Sequence, residues 1–483
     1  MDRSKGLGFW ILTALVVGNM VGSGIFMLPR TLAEVASPAG VLLAWVITGS
    51  GVLMTALVFG NLVLRKPALT GGPQIYAKEI FKPGTHASIF SGFISTWGYW
   101  IGNLAGNIAI VTTFAGYLST FFPVLTNQQE FLTIGGFSLK VGNALTFLVC
   151  TLLLWCTHFL VLQGISGAGK INFAATATKV LGFLLFIIVG LFAFQKSNIV
   201  PFVAPRIDEA GQSIGLLSQV NRAAVSTLWA FIGVESAMVF ASRAKKQIDV
   251  KRATIFGLLL ALVIYIGISQ LVMGILNQQA LINSEKPLVD AMGSILGPMG
   301  AKLLAGLGLV SLIGSTIGWV MLCAEVPYQA AKQGLFLPSF LKVNKEGIPT
   351  FALVVTNVLG QLFIFSTIFN SISAAFDFII YIATLSYLIP YFISSIFQLK
   401  LVVTGETYNL ETKARWSDGI IAALATIYSV WVIIAGTADV KTFMLGMGLL
   451  FSGVFFYRNV VKAVKPESGK EKGLVWKRPL EEE

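Results

Sequence analysis

Two glycine-interrupted apolar segments contain the residue types that could do chemistry in this sequence. The first is "GNMVGSGIFMLP", Gly18 to Pro29, which has three glycines within its first seven residues. The second is "STLWAFIGVESAMVFAS", Ser226 to Ser242, with Gly233 and the ionisable Glu235 near its middle. Glycine costs roughly 1 kcal/mol against alanine in a helix interior, so we expect both segments to leave the helical conformation at these glycines.

Unwinding a helix exposes backbone groups of opposite polarity at the two half-helix ends. Free N–H groups at the positive end of a helix dipole suit a carboxylate, and free carbonyls suit an ammonium. An α-amino acid carries both groups on one carbon. Two broken helices side by side therefore predict an amino-acid site, while close helix packing around small residues is the alternative explanation for the glycines.

The elements that must position these segments are membrane-spanning helices. The 483 residues are 55% hydrophobic and only 12% charged, about half the charged fraction of a soluble protein. The apolar residues come in blocks close to the ~20 that cross a bilayer as a helix. Counting these blocks predicts an all-α polytopic membrane protein with about twelve spans. The spans are predicted at 9–36, 39–65, 86–120, 142–165, 170–195, 216–243, 253–277, 294–332, 349–368, 374–402, 417–437 and 440–460.

The two interrupted segments fall in the first and the sixth of these spans. They are five spans apart along the chain, and because five is odd the two halves would insert with opposite orientations. Glycine-interrupted helices at matching places in two inverted halves point to a transporter site at the bilayer midplane.

The net charge of +12 is explained by membrane topology rather than by a nucleic-acid or acidic partner. With a cytoplasmic N-terminus, the inner loops and tails collect about 25 of the 34 Lys and Arg, and the outer loops about six. Both termini are therefore predicted on the cytoplasmic side of the cell membrane.

Other classes of membrane protein lack their motifs here. An intramembrane enzyme would need a pattern such as H-E-x-x-H, G-x-S-x-G or a Cys/His cluster. Cys150, Cys156 and Cys323 all fall within spans, fit no metal spacing and are expected to be packing residues. A channel would favour a filter loop and pore-lining rings, and a sensor would be expected to carry a signalling domain. We therefore predict no enzyme, no metal site and no cofactor.

Four stretches resemble the amino acid–polyamine–organocation superfamily: the first glycine-interrupted segment, "GNIAIVTTFAGYLSTFFP" (Gly106 to Pro123), "LWAFIGVES" and "AAKQGLFLPSFLKVNKEGIP" (Ala330 to Pro349). Within it, the sequence is similar to basic amino acid/polyamine antiporters, which include arginine/agmatine, arginine/ornithine and lysine/cadaverine exchangers. The resemblance implies a 5+5 inverted repeat with two appended helices and exchange by alternating access. Dimers occur in that family, so a homodimer is also an expectation. The predicted divisions are an N-terminus at 1–8, repeats at 9–195 and 216–402, two helices at 417–460 and a basic tail at 461–483.

The resemblance also implies a site for a cationic amino acid between the broken helices. Ser23 and Gly24 match the amides that hold the substrate carboxylate, and Trp229 and Ile232 match the carbonyls that bind its α-amine. The Trp229 indole would cover the substrate side chain, because an indole face attracts a cation by roughly 0.5–2 kcal/mol without a fixed charge. Ordinary packing is the alternative role for the tryptophans. The other residues matched to the pocket are Asn19, Met20, Gly102, Asn103, Asn107 and Trp319.

Glu235 is the strongest ionisable candidate. A mid-span carboxylate costs at least ~2.5 kcal/mol on insertion scales, so it is expected to face a cavity or a partner. By resemblance it sits at the gate near Tyr99 and Tyr391 and could be a protonatable switch. Bracing of the broken helix is the alternative role.

Lys179 is an isolated cation within the fifth span. In sodium-coupled relatives of the fold a sodium ion bridges helices one and eight near this place, and in some proton-coupled members a lysine stands in for it. The arginine/agmatine antiporter lacks this lysine, which weighs against agmatine as the exchange partner and leaves proton coupling open. Snorkelling to the interface is the alternative.

Together these features predict a secondary transporter of cationic amino acids, with arginine and ornithine as the leading exchange pair. A proton-coupled symporter of lysine or arginine is the alternative that Lys179 supports. Glu325 is predicted to be an ion-pair or gate residue, and His158 a packed, hydrogen-bonded side chain. Arg30 and Glu34 are expected to pair across one helical turn.

Overall fold

The computed structural model describes residues 6–134, 137–207, 211–369, 372–408, 412–436, 440–466 and 474–476, and these residues form a helical protein with three short hairpins. The predicted basic tail lies mostly outside the described residues. The helices are α1 (Phe9–Met20), α2 (Ser23–Val35), α3 (Pro38–Arg65), α4 (His86–Leu118), α5 (Val141–Leu162), α6 (Ile165–Ala193), α7 (Leu216–Phe231), α8 (Ser236–Val239), α9 (Gln247–Ile275), α10 (Gln278–Ile282), α11 (Pro287–Lys332), α12 (Thr350–Ile364), α13 (Ser366–Phe369), α14 (Ile372–Thr404), α15 (Thr412–Gly436), α16 (Val440–Phe451) and α17 (Val454–Ala463). The antiparallel hairpins are β1 (Glu130–Ile134) with β2 (Phe137–Lys140), β3 (Arg206–Ile207) with β4 (Ser213–Ile214), and β5 (Val464–Pro466) with β6 (Leu474–Trp476).

Most predicted spans are single long helices, and the polytopic helical prediction is confirmed. Within the described ranges, nine helical segments are long and apolar enough to cross a membrane. The first, sixth, ninth and twelfth predicted spans correspond instead to α1–α2, α7–α8, α12 and α16–α17, which are interrupted or short. Three predicted starts were late by five to seven residues, because α6, α9 and α11 begin at Ile165, Gln247 and Pro287. Hydropathy marks only the apolar centre of a span, whereas these helices continue into polar sequence.

The structure contains both predicted helix breaks. Only Val21 and Gly22 separate α1 from α2, and residues 232–235 separate α7 from α8. Gly233 has a φ of 105°, a conformation that favours glycine because it has no side chain. A Cβ on Gly233 would also lie 2.9 Å from the carbonyl carbon of Asn19, so glycine is needed where the two breaks meet. A further interruption, at Gly297 in α11 with φ 67°, was not predicted.

Helix packing follows a pattern with a period of five spans. The first broken pair crosses the second antiparallel, since α2 packs on α7 while α1 packs on α8. Spans two and six pack through α3 and α7, as spans seven and one do through α9 and α1. The contact between spans one and five (α1 and α6) recurs between spans six and ten (α7 and α14). The contact between spans three and ten (α4 and α14) recurs between spans eight and five (α11 and α6). Two five-span repeats related by a two-fold axis would give this pattern of contacts.

Candidate functional site

Side chains on one face of α11 donate hydrogen bonds to the backbone carbonyls at the C-terminal end of α1. The Gly18 carbonyl accepts hydrogen bonds from Ser315 Oγ at 2.8 Å and from Lys179 Nζ at 2.9 Å. The next carbonyl, that of Asn19, accepts from Trp319 Nε1 at 3.0 Å. Ser315 and Trp319 are four residues apart and share one helix face, so two carbonyls at the broken end of α1 are satisfied by a single turn of α11.

The side chain of Asn19 links the two broken helices. Its Nδ2 donates to Ser236 Oγ at 2.8 Å, at the start of α8. Its Oδ1 has no hydrogen-bond partner among the described residues, although it is buried. Gly318 is the close neighbour on α11, where a Cβ would come within 2.2 Å of Asn19 Oδ1. Asn19 therefore sits where α1, α8 and α11 converge.

A small cavity of about 10 Å³ lies between the two breaks. All nine residues that line it are buried, so little solvent reaches the cavity walls in this conformation. The sequence predicted seven of the nine lining residues and missed Gly22 and Ile110. The lining consists of Asn19, Met20, Gly22, Ser23, Gly24, Ile110, Trp229, Ile232 and Trp319.

The start of α2 makes one wall of this cavity polar. Ser23 and Gly24 are the first two residues of α2, and no side chain caps this helix from Gly22. The first N–H groups of a helix have no intrahelical partner and lie at the positive end of its dipole. The cavity lining includes no Asp or Glu. This wall therefore suits an anionic group of a ligand.

Two indoles form another wall of the cavity. The ring centroids of Trp229 and Trp319 are 6.3 Å apart, with 36° between the ring planes. A Cβ on Gly106 would lie 2.4 Å from Trp319 and 3.2 Å from Trp229, so the missing side chain of α4 makes room for both rings. Paired indole faces offer cation–π attraction without a counter-charge.

The three predicted pocket residues on α4 do not line this cavity. Asn107 is buried next to Gly106, and its Oδ1 has no partner within the described part of the chain. Asn103 Oδ1 accepts from the Tyr387 hydroxyl at 2.8 Å, and Asn103 Nδ2 donates to the Tyr99 carbonyl at 2.7 Å. Gly102 packs against Tyr387, where a Cβ would come within 3.1 Å of the ring.

The sequence does not predict Tyr387 as a site residue, because its contacts come from separate helices. Its ring lies 6.5 Å from Trp319, 5.1 Å from Tyr99 and 6.2 Å from Tyr391, measured between centroids. The signal available in the sequence was its place one helical turn before Tyr391, which was predicted. Tyr387 thus connects the indole wall to the group around Glu235.

Glu235 is fully buried and accepts three hydrogen bonds. Its Oε1 accepts from the Tyr99 hydroxyl at 2.7 Å. Its Oε2 accepts from the Tyr391 hydroxyl at 2.5 Å and from the Gly233 backbone N–H at 3.2 Å. These donors satisfy the carboxylate, which has no basic partner among the residues that the structure describes. The structure brings together the three predicted gate residues, and the Gly233 contact also braces the break as the alternative reading expected.

Lys179 bridges α1 and α11 from its place on α6. Only 2% of the residue is exposed, and its Nζ donates to the Gly18 carbonyl and, at 2.7 Å, to Ser315 Oγ. Across the described ranges no carboxylate lies within salt-bridge distance of Lys179. The snorkelling explanation is wrong, because the ammonium points into the protein. Lys179 thus joins the first and eighth spans through α1 and α11, and its replacement of a bound cation stays a prediction from the family resemblance.

A partly buried ion pair lies beyond the Glu235 group, on the side where α8 ends, and is the second set of contacts that closes this side. Arg243 donates from Nε and Nη2 to the two carboxylate oxygens of Glu325, at 3.0 and 2.9 Å. Gln329 donates to the same carboxylate at 2.6 Å. The N-terminal segment lies against this pair, because the Leu7 N–H donates to the Arg243 carbonyl and the Lys245 N–H donates to the Leu7 carbonyl. The ion pair predicted for Glu325 is confirmed.

The remaining local predictions concern structural contacts. Arg30 and Glu34 pair at 3.0 Å, as expected for residues one turn apart. His158 Nδ1 lies 3.0 Å from Asn357 Nδ2 in a buried contact between α5 and α12, which confirms its structural role. Cys150 and Cys323 are buried and Cys156 is exposed, and all three are free thiols.

Known proteins resemble this chain over almost its full length. The profile of the amino acid permease family matches residues 7–455. The chain is 52% identical over 457 residues to the "Putative arginine/ornithine antiporter" of Bacillus subtilis (strain 168), which covers 95% of this chain and 97% of that protein. It is 37% identical to the "Arginine/ornithine antiporter" of Pseudomonas aeruginosa, over 90% of this chain and 87% of that protein. It is 32% identical to the "Arginine/agmatine antiporter" of Chlamydia pneumoniae, over 96% and 91% of the two chains.

Proposed function

Because the chain belongs to the amino acid permease family, we propose that it is a secondary transporter that exchanges arginine for ornithine across the cytoplasmic membrane. The names of the relatives support this substrate pair. The structural observation that carries the proposal is the buried cavity between two broken helices, with uncapped amides on one wall and paired indoles on another. An amino acid with a cationic side chain presents the groups that complement these walls.

The substrate would lie across the cavity with its carboxylate at the start of α2. The N–H groups of Ser23 and Gly24 would then donate to the carboxylate. The carbonyls of Trp229 and Ile232, at the end of α7, would accept from the α-amine. The cationic side chain would run between the Trp229 and Trp319 faces toward Asn107, whose Oδ1 is free among the described residues. This arrangement releases its ligand readily because no buried carboxylate holds the substrate cation.

Alternating access would require two layers to separate on the side where α8 ends. The first layer is Glu235 with Tyr99 and Tyr391, and the second is the Arg243–Glu325 pair. Protonation of Glu235 would remove its charge and convert one acceptor oxygen into a donor, which loosens the first layer. Glu235 is therefore proposed as the gate residue.

The side that carries this double closure is proposed to be cytoplasmic. Leu7 near the N-terminus bonds to the segment after α8, so both lie on one side of the membrane. The excess of Lys and Arg in the loops on that side supports the orientation. With twelve spans the C-terminus is on the same side. Lysine transport and a homodimer stay predictions from the family resemblance.

Proton-coupled symport is the second candidate, and Lys179 is the observation that favours it. Its ammonium is buried without a carboxylate in the described part of the chain, so loss of its proton would leave a neutral amine on the Gly18 carbonyl. A proton site in that position could drive uptake without exchange.

Uptake of labelled arginine into proteoliposomes tests both candidates. Vesicles would be loaded with ornithine, with agmatine, with glutamate or with buffer alone, each with and without an inward proton gradient. Exchange predicts rapid uptake only with internal ornithine, and the glutamate vesicles control for osmotic effects. Uptake into buffer-loaded vesicles driven by the proton gradient would replace exchange by symport. No arginine uptake in any vesicle would refute the substrate assignment.

A further inference from the structure

A large pocket opens between three helices on the side of the molecule that carries the N-terminal residues. It has a volume of about 540 Å³ and lies where α3 ends and where α9 and α15 begin. Its lining consists of Asn61, Leu64, Arg65, Lys251, Thr407, Ala414, Ser417 and Asp418. None of these residues belongs to the transport site or to its closures.

The carboxylate at the floor of the pocket is fully engaged. Asp418 Oδ1 accepts from Asn61 Nδ2 at 2.9 Å, and its Oδ2 accepts from Arg65 Nε at 2.9 Å and from the Tyr408 hydroxyl at 3.0 Å. The Arg65 guanidinium also lies 3.8 Å over the Tyr408 ring and donates to the Thr407 carbonyl. Asp418 therefore neutralises Arg65 and leaves the charge of the pocket to Lys251.

Lys251 is held in place by a glycine on the opposing helix. A Cβ on Gly60 would lie 2.5 Å from Lys251 Cγ, so only glycine lets the lysine stem lie along α3. The ammonium then donates to Asn61 Oδ1 at 2.8 Å. An ammonium has three protons to donate, and in the described ranges Lys251 has no ion-pair partner. A fixed positive charge with donors to spare thus lies in an open pocket.

The surroundings of the pocket are basic and amphipathic. The described segments that meet there, residues 61–66, 246–252, 406–408 and 412–418, carry seven Lys and Arg against three Asp and Glu. On the membrane-facing side, Leu64, Trp416 and Ile420 are all exposed, with Trp416 the most exposed at 72%. Tryptophan favours the membrane interface, where an apolar ring meets polar headgroups. Residues 409–411 lie outside the description and are not part of the site.

We propose that this pocket binds the phosphate of an anionic phospholipid, with Lys251 as its charged contact and Ser417 as a hydroxyl donor at the mouth. Basic pockets between membrane helices commonly bind anionic headgroups. A free phosphate ion shares this chemistry, but the exposed apolar side chains beside the pocket favour a lipid, whose acyl chains would cover them. The lipid would join α15 to α3 and α9.

Lipid binding to the purified full-length protein tests the proposal. Bound phosphatidylglycerol and phosphatidylcholine would be counted by native mass spectrometry as lipid is titrated into detergent solution. Lys251→Gln should weaken phosphatidylglycerol binding about fivefold, the equivalent of about 1 kcal/mol per basic residue. Arg252→Gln is the matched control, since it removes the same charge from the exposed neighbouring position. Lys251→Arg should bind phosphatidylglycerol as the wild type does.

Three results would overturn the proposal. They are equal binding of the two lipids, equal losses in Lys251→Gln and Arg252→Gln, and displacement of the lipid by inorganic phosphate at the same concentration. If Lys251→Gln does not fold, Ser417→Asp at the exposed mouth replaces it, with Ser417→Ala as its control. Ser417→Asp should weaken phosphatidylglycerol binding more than Ser417→Ala, and equal binding by the two variants would likewise overturn the proposal.

Discussion

Gly106→Ala should weaken arginine binding by displacing both indoles of the cavity. The new Cβ would lie 2.4 Å from Trp319 and 3.2 Å from Trp229, well inside ordinary contact distance. Trp319 must move by more than an ångström, and its hydrogen bond to the Asn19 carbonyl, now 3.0 Å, would break or stretch.

The magnitude follows from the interactions that depend on the position of Trp319. A hydrogen bond contributes about 1 kcal/mol and a cation–π contact about 0.5–2 kcal/mol. Losing the cation–π contact weakens binding by about 0.5–2 kcal/mol, which corresponds to roughly a twofold to thirtyfold higher Kd. The hydrogen bond lies within the protein, so its loss lowers the free energy of unfolding by about 1 kcal/mol instead. The alanine is otherwise a better helix former than glycine by about 1 kcal/mol, so α4 itself should tolerate it.

Isothermal titration of arginine into the purified protein would measure this effect. Gly267→Ala is the matched control, because it lies inside α9 and its Cβ would make ordinary contact at 3.5 Å with Ile187. The control should bind arginine as the wild type does. If Gly106→Ala also binds arginine within twofold of the wild type and melts at the same temperature, the indoles do not form the wall of the substrate site.

Three further predictions test other parts of the site. Trp229→Leu should raise the Kd for arginine about twofold to thirtyfold by removing one cation–π face, while the protein still folds; unaltered affinity would remove this indole from the site. Lys179→Ala should abolish any response of arginine uptake to an imposed pH gradient, and a wild-type response in proteoliposomes would give this lysine a structural role. Glu325→Gln should destabilise the closed state by about 3 kcal/mol, because it leaves the charge of Arg243 without its partner. Hydrogen exchange at the amides of Leu7 and Lys245 should then accelerate, whereas Glu406→Gln, which breaks an exposed pair, should leave it unchanged.

Much of the cavity was predictable because its residues lie at the helix breaks. Eight of the nine lining residues come from the two interrupted segments and from Trp319, and the breaks follow from local glycines. The contacts of Glu235 with Tyr99 and Tyr391 came from the family resemblance rather than from the residues alone. The hydrogen bond from Ser315 Oγ to the Gly18 carbonyl was not predicted, because nothing in the local sequence of α11 marks a serine that faces another helix.

The sequence by itself determined that this is a membrane protein of about twelve helices, and where two of them break. These properties depend on composition and on the conformational cost of single residues, which act locally. Only the tertiary structure decided that Asn103 bonds to Tyr387 rather than to the cavity, that Arg243 pairs with Glu325, and that Gly60 admits Lys251. Such contacts depend on the rotation and axial position of packed helices, which are set by many side chains distant in sequence, so no local pattern specifies them.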